Sequence, residues 1–215
     1  MTSNARRAER ARVAVFAKAP VPGQVKTRLA EVLGADAAAG LHAGLVRHAL
    51  ATAVASGLGA VELWCAPDER HDFFERCAAE FGARLHAQRG ADLGARMRAA
   101  FDEAFARGEA LVVIGADCPA LKPGDLRAAA AALEAHDVAI VPAEDGGYVL
   151  LAMARAVPEI FEGVAWGSPS VMGETRSRLA AAGVAWWELP ASWDVDRPED
   201  YERLQREGLL QEVLS

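Results

Sequence analysis

Val13-Ala14-Val15-Phe16-Ala17-Lys18-Ala19-Pro20-Val21-Pro22-Gly23-Gln24-Val25-Lys26-Thr27-Arg28-Leu29 runs from an interior-strand pattern straight into a cationic loop. Val13, Val15 and Phe16 carry the β-branched and aromatic character of a buried strand. Pro20, Pro22 and Gly23 end its ladder and force a loop at its carboxyl end. Open α/β sheets bind ligands at such ends. Lys18, Lys26 and Arg28 gather there, and Thr27 is expected as a helix N-cap whose neighbouring amides add partial positive charge. The loop reads as a polyanion cradle, although a solvated basic turn would use the same residues. Neither GxxxxGK[ST] nor GxGxxG spacing is present.

Outward from this stretch, strand and helix signals alternate. Helical spacing is expected over residues 36–56 (with Asp36 as cap), 73–81, 92–107, 124–135, 168–182 and 198–206. Strands are expected over residues 61–65, 83–88, 111–115, 138–141, 148–153 and 185–189, with a Glu144-Asp145-Gly146-Gly147 turn between two of them. Alternation of this kind implies a largely parallel sheet covered on both faces.

The chain has 215 residues, of which 52% are hydrophobic and 25% charged, which suits one globular domain over residues 13–215 preceded by a frayed polar arm over residues 1–12. Its 30 acids against 23 bases, a formal charge of −7, argue against nucleic acid as a partner. Apolar runs are too short for a bilayer, which speaks against a membrane partner. The Arg-rich start lacks the apolar region of a signal peptide. Cys65, Cys77 and Cys118 form no CxxC pair, which fits reduced thiols rather than zinc, and a cytoplasmic location is expected.

Two acidic stretches carry the chemistry. Asp117 follows the apolar strand ending in Ile114-Gly115 and precedes Pro119, so its carboxylate is expected in the ligand crevice unless it is a satisfied turn aspartate. Asp194 and Asp196, in Trp193-Asp194-Val195-Asp196-Arg197-Pro198, alternate along an extended segment and either hold a cation or cap the following helix. Magnesium suits such carboxylates, because it takes few protein ligands and fills its remaining positions with water and phosphate oxygens. Glu144, Asp145, Gly146, Gly147 and Tyr148 form either an acceptor-side loop or a plain hairpin turn. Gln88-Arg89-Gly90-Ala91-Asp92 leads into a helix whose start, with Arg96, can meet a nucleotide base or phosphate.

The ordered motifs Phe16-x-Lys18-x-Pro20-x-Pro22-Gly23-x-x-Lys26-Thr27-Arg28-Leu29, Gln88-x-Gly90-x-Asp92-Leu93-Gly94-x-Arg96-Met97, Gly115-x-Asp117-x-Pro119-x-Leu121, Pro142-x-Glu144-Asp145-Gly146-Gly147-Tyr148, Phe161-x-Gly163-Val164-x-Trp166 and Asp194-Val195-Asp196-x-Pro198-Glu199-Asp200 resemble a bacterial glycosyltransferase-A-like transferase family. That family is similar to 2-phospho-lactate guanylyltransferase and molybdenum-cofactor guanylyltransferase. The resemblance implies a nucleotide-diphospho-sugar transferase fold, a three-layer αβα sandwich with a mixed, mainly parallel sheet. It also implies Asp117 with Asp194 or Asp196 as ligands of Mg2+ (or Mn2+). Lys18, Pro22, Gly23, Lys26, Thr27, Arg28, Asp92 and Arg96 would bind the nucleotide, and Glu144 to Tyr148 with Trp166 the acceptor.

The expected activity is metal-dependent transfer of a nucleoside monophosphate from a nucleoside triphosphate to a small phosphorylated or hydroxyl acceptor, with Lys26, Arg28 and Asp117 catalytic. Glycosyl transfer from a nucleotide sugar is the alternative, and an inactive nucleotide-binding regulatory domain a third. A homodimer stays open.

Overall fold

The computed structural model describes residues 3–214. Seven strands, β1 (Arg12–Lys18), β2 (Val61–Ala66), β3 (Arg84–Ala87), β4 (Leu111–Gly115), β5 (Val138–Pro142), β6 (Tyr148–Met153) and β7 (Trp186–Glu188), form one sheet in the order β3-β2-β1-β4-β6-β5-β7. β6 alone runs antiparallel, against β4 and β5; the other pairs are parallel.

Alternation along β1 builds the three layers. Val13, Val15 and Ala17 face a core closed by α3 (Ala35–Ala55), α4 (Asp72–Phe81) and α6 (Pro123–Ala132). Ala14 and Phe16 face the opposite core, closed by α5 (Leu93–Ala106) and α7 (Val171–Ala181). A smaller cluster joins Leu29, Leu41 and Leu45 to Val195, Leu204 and Val213, beneath α2 (Thr27–Leu33), α8 (Pro198–Arg206) and α9 (Leu210–Leu214). The expected αβα sandwich is thus present, and every expected strand and helix lies within a few residues of its observed bounds.

Three local readings need correction. Residues 3–8 of the expected arm form α1 (Ser3–Ala8), tied down by Arg7 Nη1 donating to Ala154 O at 2.8 Å. Thr27 is not the cap of α2: Lys26 is, in a left-handed conformation (φ 48°), and Thr27 is the first helical residue. Asp36 sits inside the first turn of α3, and Gly34, with φ 83°, both ends α2 through its N–H to Ala30 O and opens α3. The short helix α9 had no periodic signal long enough to announce it.

Candidate active site

Winding reverses at β1, which lies between β2 and β4, so the carboxyl ends of β1 and β4 open the crevice where such sheets bind ligands. Two cavities meet there. A larger one, about 600 Å³, runs along the loop after β1, with Lys18, Lys26, Arg28, Gln88 and Arg96 in its wall. A smaller one, about 250 Å³, is walled by Asp145, Gly147, Tyr148, Trp166 and Asp194. Leu93, Gly115 and Asp117 line both, so Asp117 stands at their junction.

Asp117 is fixed from three sides. Lys26 Nζ lies 2.7 Å from its Oδ1, and His42 Nδ1, from the middle of α3, lies 3.5 Å from the same oxygen. His42 Nε2 reaches Lys18 O at 3.0 Å; a carbonyl only accepts, so that nitrogen carries the proton. The Lys26 ammonium also donates to Val195 O, and Val195 N–H donates to Asp117 O at 2.8 Å. Oδ1 is buried beneath these partners, whereas 43% of the Asp117 side chain stays open, so the carboxylate meets the cavities through its other oxygen. Burial alone would raise the Asp117 pKa; the Lys26 charge outweighs it and holds the carboxyl well below the usual range.

This arrangement revises the role expected of Lys26. Its side chain is 4% exposed, and the ammonium is engaged by Asp117 and Val195 instead of standing free for a leaving pyrophosphate. Its left-handed backbone, an unfavourable state for a side-chain-bearing residue, is the strain that places it there. Arg28 is paired as well, with Asp196. Lys18 and the Arg96 guanidinium nitrogens have no carboxylate partner among the described residues, which leaves them as the open cations of the larger cavity. Pro22, Gly23 and Asp92 stand outside the cavity wall. Asp92 caps α5, its Oδ1 accepting from Ala95 N at 2.8 Å.

The two candidate second ligands beside Asp117, Asp194 and Asp196, are placed apart. Val195 is buried in the small core and tied by its backbone to Asp117 and Lys26, so its neighbours part: Asp194 enters the smaller cavity and Asp196 the larger. Among the described residues no three His, Cys, Asp or Glu side chains converge as a metal site. Asp194 has no cationic partner there, and burial, then the charges of Asp145 and Asp117, push its carboxyl up to about 6. Two mutually repelling carboxylates with open oxygens fit one magnesium-like ion that completes its shell with water and phosphate.

On the acceptor side, Asp145 Oδ1 accepts from Gly147 N at 2.9 Å and holds the loop. Gly146 (φ 93°) lies where a Cβ would overlap the Pro169 carbonyl, which binds this loop to the segment before α7. Glu144 does not enter the cavity: Arg203 of α8 grips both its oxygens, at 2.8 and 3.3 Å, while stacking 4.4 Å over Trp193. Gly146 is likewise absent from the cavity wall. Tyr148 and Trp166 meet edge to face, with centroids 6.3 Å apart. The Trp166 ring lies directly over Gly94 of α5, where no side chain fits. Cys118 is buried beside Ser192, and burial raises its pKa. His42 is the residue missed from sequence, because nothing in an alanine-rich helix 75 positions before Asp117 signals their contact.

The sequence profile of a bacterial family described as "Uncharacterized protein conserved in bacteria (DUF2064)" matches residues 49–168. A 3-phospho-D-glycerate guanylyltransferase of Phenylobacterium zucineum (strain HLK1) is 35% identical over 184 residues, 81% of each chain. Among solved structures, a provisionally named nucleotide-diphospho-sugar transferase from Desulfovibrio desulfuricans G20 is 30% identical and superposes with a TM-score of 0.80 over 95% of this chain and 98% of its own. A Mycobacterium tuberculosis H37Rv protein crystallised with manganese shares the fold at 19% identity, with a TM-score of 0.55 over 91% of this chain and 97% of its own. No helix among the described residues is long and apolar enough to cross a membrane. The chain is therefore a transferase and belongs to this bacterial DUF2064 family, with the nucleotide-diphospho-sugar transferase fold.

Proposed function

We propose that this protein transfers a nucleoside monophosphate from a nucleoside triphosphate to a small acceptor. The carrying observation is the junction of a cation-bearing cavity and a smaller polar and aromatic cavity at one fixed carboxylate, Asp117. The larger cavity has room for a nucleotide, and Lys18, Arg28 and Arg96 bring positive charge to its phosphates. Asp145, Tyr148 and Trp166 bound the space for the acceptor. An acceptor oxygen attacks the α-phosphorus, the bond to the bridging oxygen breaks, and pyrophosphate leaves with the electron pair. A phosphate acceptor enters already ionised, so no general base is assigned.

Asp117 and Asp194 are the residues that would hold a divalent ion, magnesium or manganese. When bound, the ion supplies charge neutralisation at phosphate oxygens. Lys26 acts as a positioning residue, holding Asp117 and, through Val195, the segment that carries Asp194 and Asp196. The Arg28–Asp196 pair opens when phosphate competes for the guanidinium.

The curated relative makes GTP and 3-phospho-D-glycerate the first pair to assay. Pyrophosphate release that requires both substrate and metal supports the proposal. Release of nucleoside diphosphate from a nucleotide sugar instead, the reading favoured by the naming of the Desulfovibrio structure, overturns it. Binding without any turnover points to a regulatory domain.

A further inference from the structure

Charge is divided between the two cavities. Lys18, Arg28 and Arg96 stand in the wall of the larger one. Among the described residues no lysine, arginine or histidine lines the smaller one, whereas Asp117, Asp145 and Asp194 all do. Arg203, the guanidinium brought to the acceptor loop, is spent on Glu144 outside that cavity. The neutral donors that an anion would need there are spent as well. Gly147 N–H donates to Asp145 Oδ1 at 2.9 Å, and Ser168 Oγ pairs with Ser170 Oγ at 2.8 Å. Tyr148 Oη and Trp166 Nε1 are closed off from solvent without a hydrogen-bond partner among the described residues, so what these two side chains present to the cavity is ring carbon. Val149 and Val171 add further apolar wall.

A carboxylate entering this space would meet like charges with no cation to offset them, and would leave the carboxylate oxygens of the wall without donors. A hydroxyl or an ammonium does the reverse. Ionised Asp145 and Asp194 only accept, so an O–H or N–H group of the ligand satisfies them, while its hydrocarbon flank lies on the Tyr148 and Trp166 rings. The phosphate end of an acceptor has a different place, at Asp117, where the cations of the larger cavity begin. We infer that the acceptor is anionic only at the phosphate that attacks, and that the body entering the smaller cavity is an alcohol or amine with an apolar flank, selected by Asp145 against a second anion. The inference deepens the function proposed above and rests on the acceptor placement given there. It disfavours 3-phospho-D-glycerate, whose carboxylate is such a second anion.

Three phosphates that differ only at the far carbon test it. 3-Phospho-D-glycerate ends in a carboxylate, the glycerol phosphate of matching configuration in a hydroxymethyl group, and 3-amino-2-hydroxypropyl phosphate in an ammonium. Pyrophosphate release is followed with magnesium and each of the four common nucleoside triphosphates. Binding of the three compounds is measured by titration calorimetry with magnesium and the α,β-methylene triphosphates, which cannot react. The hydroxymethyl and ammonium compounds are expected to exceed the carboxylate roughly tenfold or more in kcat/KM and in affinity. Asp145→Asn keeps a side-chain oxygen for Gly147 N–H but loses the charge, so the ratio should narrow because the carboxylate compound gains, a gain that general loosening of the cavity would not give. The wild-type series decides the point even if that variant folds poorly. Equal or better use of 3-phospho-D-glycerate, failure of all three compounds to bind, or a ratio unchanged by Asp145→Asn overturns this inference alone. The expected binding order without pyrophosphate from any triphosphate overturns the nucleotidyl transfer proposed above and leaves the acceptor class standing.

Discussion

Replacing Lys26 by Met removes one charge from a pair whose atoms lie 2.7 Å apart. At an effective dielectric of ~20 the gross attraction is about 6 kcal/mol. The desolvation of an almost fully buried ammonium cancels a large part of it. Asp117 keeps 43% of its side chain in solvent, so the remainder must be discounted again. Lys26→Met and Asp117→Asn are each expected to destabilise the fold by about 2–3 kcal/mol, because each leaves its former partner uncompensated. The double variant leaves neither charge behind, so its loss should fall short of the sum by about 2 kcal/mol. Lys26→Gly provides an internal control: it loses the same ammonium but suits the left-handed backbone, and should be about 1 kcal/mol more stable than Lys26→Met. Because the folded Asp117 pKa lies below its ordinary value, the pair's contribution is present above about pH 4 and fades as pH falls through the folded value. In Lys26→Met, where burial raises the Asp117 pKa unopposed, that acid loss should vanish or reverse, the variant recovering stability as pH falls and the buried carboxylate is neutralised. Urea unfolding of the wild type and the four variants, repeated at acid pH, measures all of this. If the two single losses add to within ~0.5 kcal/mol, Asp117 is not held by Lys26 and the positioning role falls.

Four further outcomes follow from the same geometry. Gly94→Ala would place a methyl 2.5 Å from Trp166 Nε1, so the indole must swing; tryptophan emission should shift and the acceptor KM rise roughly tenfold, with nucleotide affinity unchanged. Unchanged emission would show that the ring does not rest there. Glu109, buried between Arg12 and Arg107, has a lowered pKa because these two guanidiniums overcome its burial. Its contribution is therefore present above about pH 4.5 and lost as pH falls through the folded value; Glu109→Gln should cost about 2–4 kcal/mol at pH 7 and flatten that acid dependence in thermal unfolding. Burial pushes the Cys65 thiol up to about 12 and Cys77 to about 11, so a thiol reagent at pH 8 should label them only as fast as the chain opens, and prompt labelling of the native protein would contradict their burial. Arg203→Ala frees Glu144 and the acceptor loop from α8, and should raise the acceptor KM while leaving tripolyphosphate affinity intact.

What could be read from sequence divides along physical lines. Strand periodicity, prolines and glycines are local signals, so β1, β4 and the loop after β1 were legible, and with them the crevice that holds Lys18, Arg28 and Asp117. Even the bounds of α8 match, because Pro198 and the last basic residues mark its ends in the sequence itself. The fate of a charge is set across the fold instead. Lys26 and Arg28 are both cations two positions apart, yet one is buried against Asp117 and the other meets Asp196 at the surface, a difference made by the left-handed turn at residue 26. Asp194 and Asp196 were expected on one side by the period of an extended chain; the segment is not a strand, and burial of Val195 in the small core sends them into different cavities. Glu144 and Asp145 are adjacent and equally acidic, but only Asp145 reaches the cavity, because Arg203 comes from 59 residues away to take Glu144. His42 and Gln88 belong to the same class: their contacts join α3 to β4 and β3 to β1 and β2. The chemistry of this site therefore depends less on which polar residues the chain carries than on which of them the fold has already paired. The groups left unpaired, Lys18, Arg96 and Asp194, are where a ligand has most to gain.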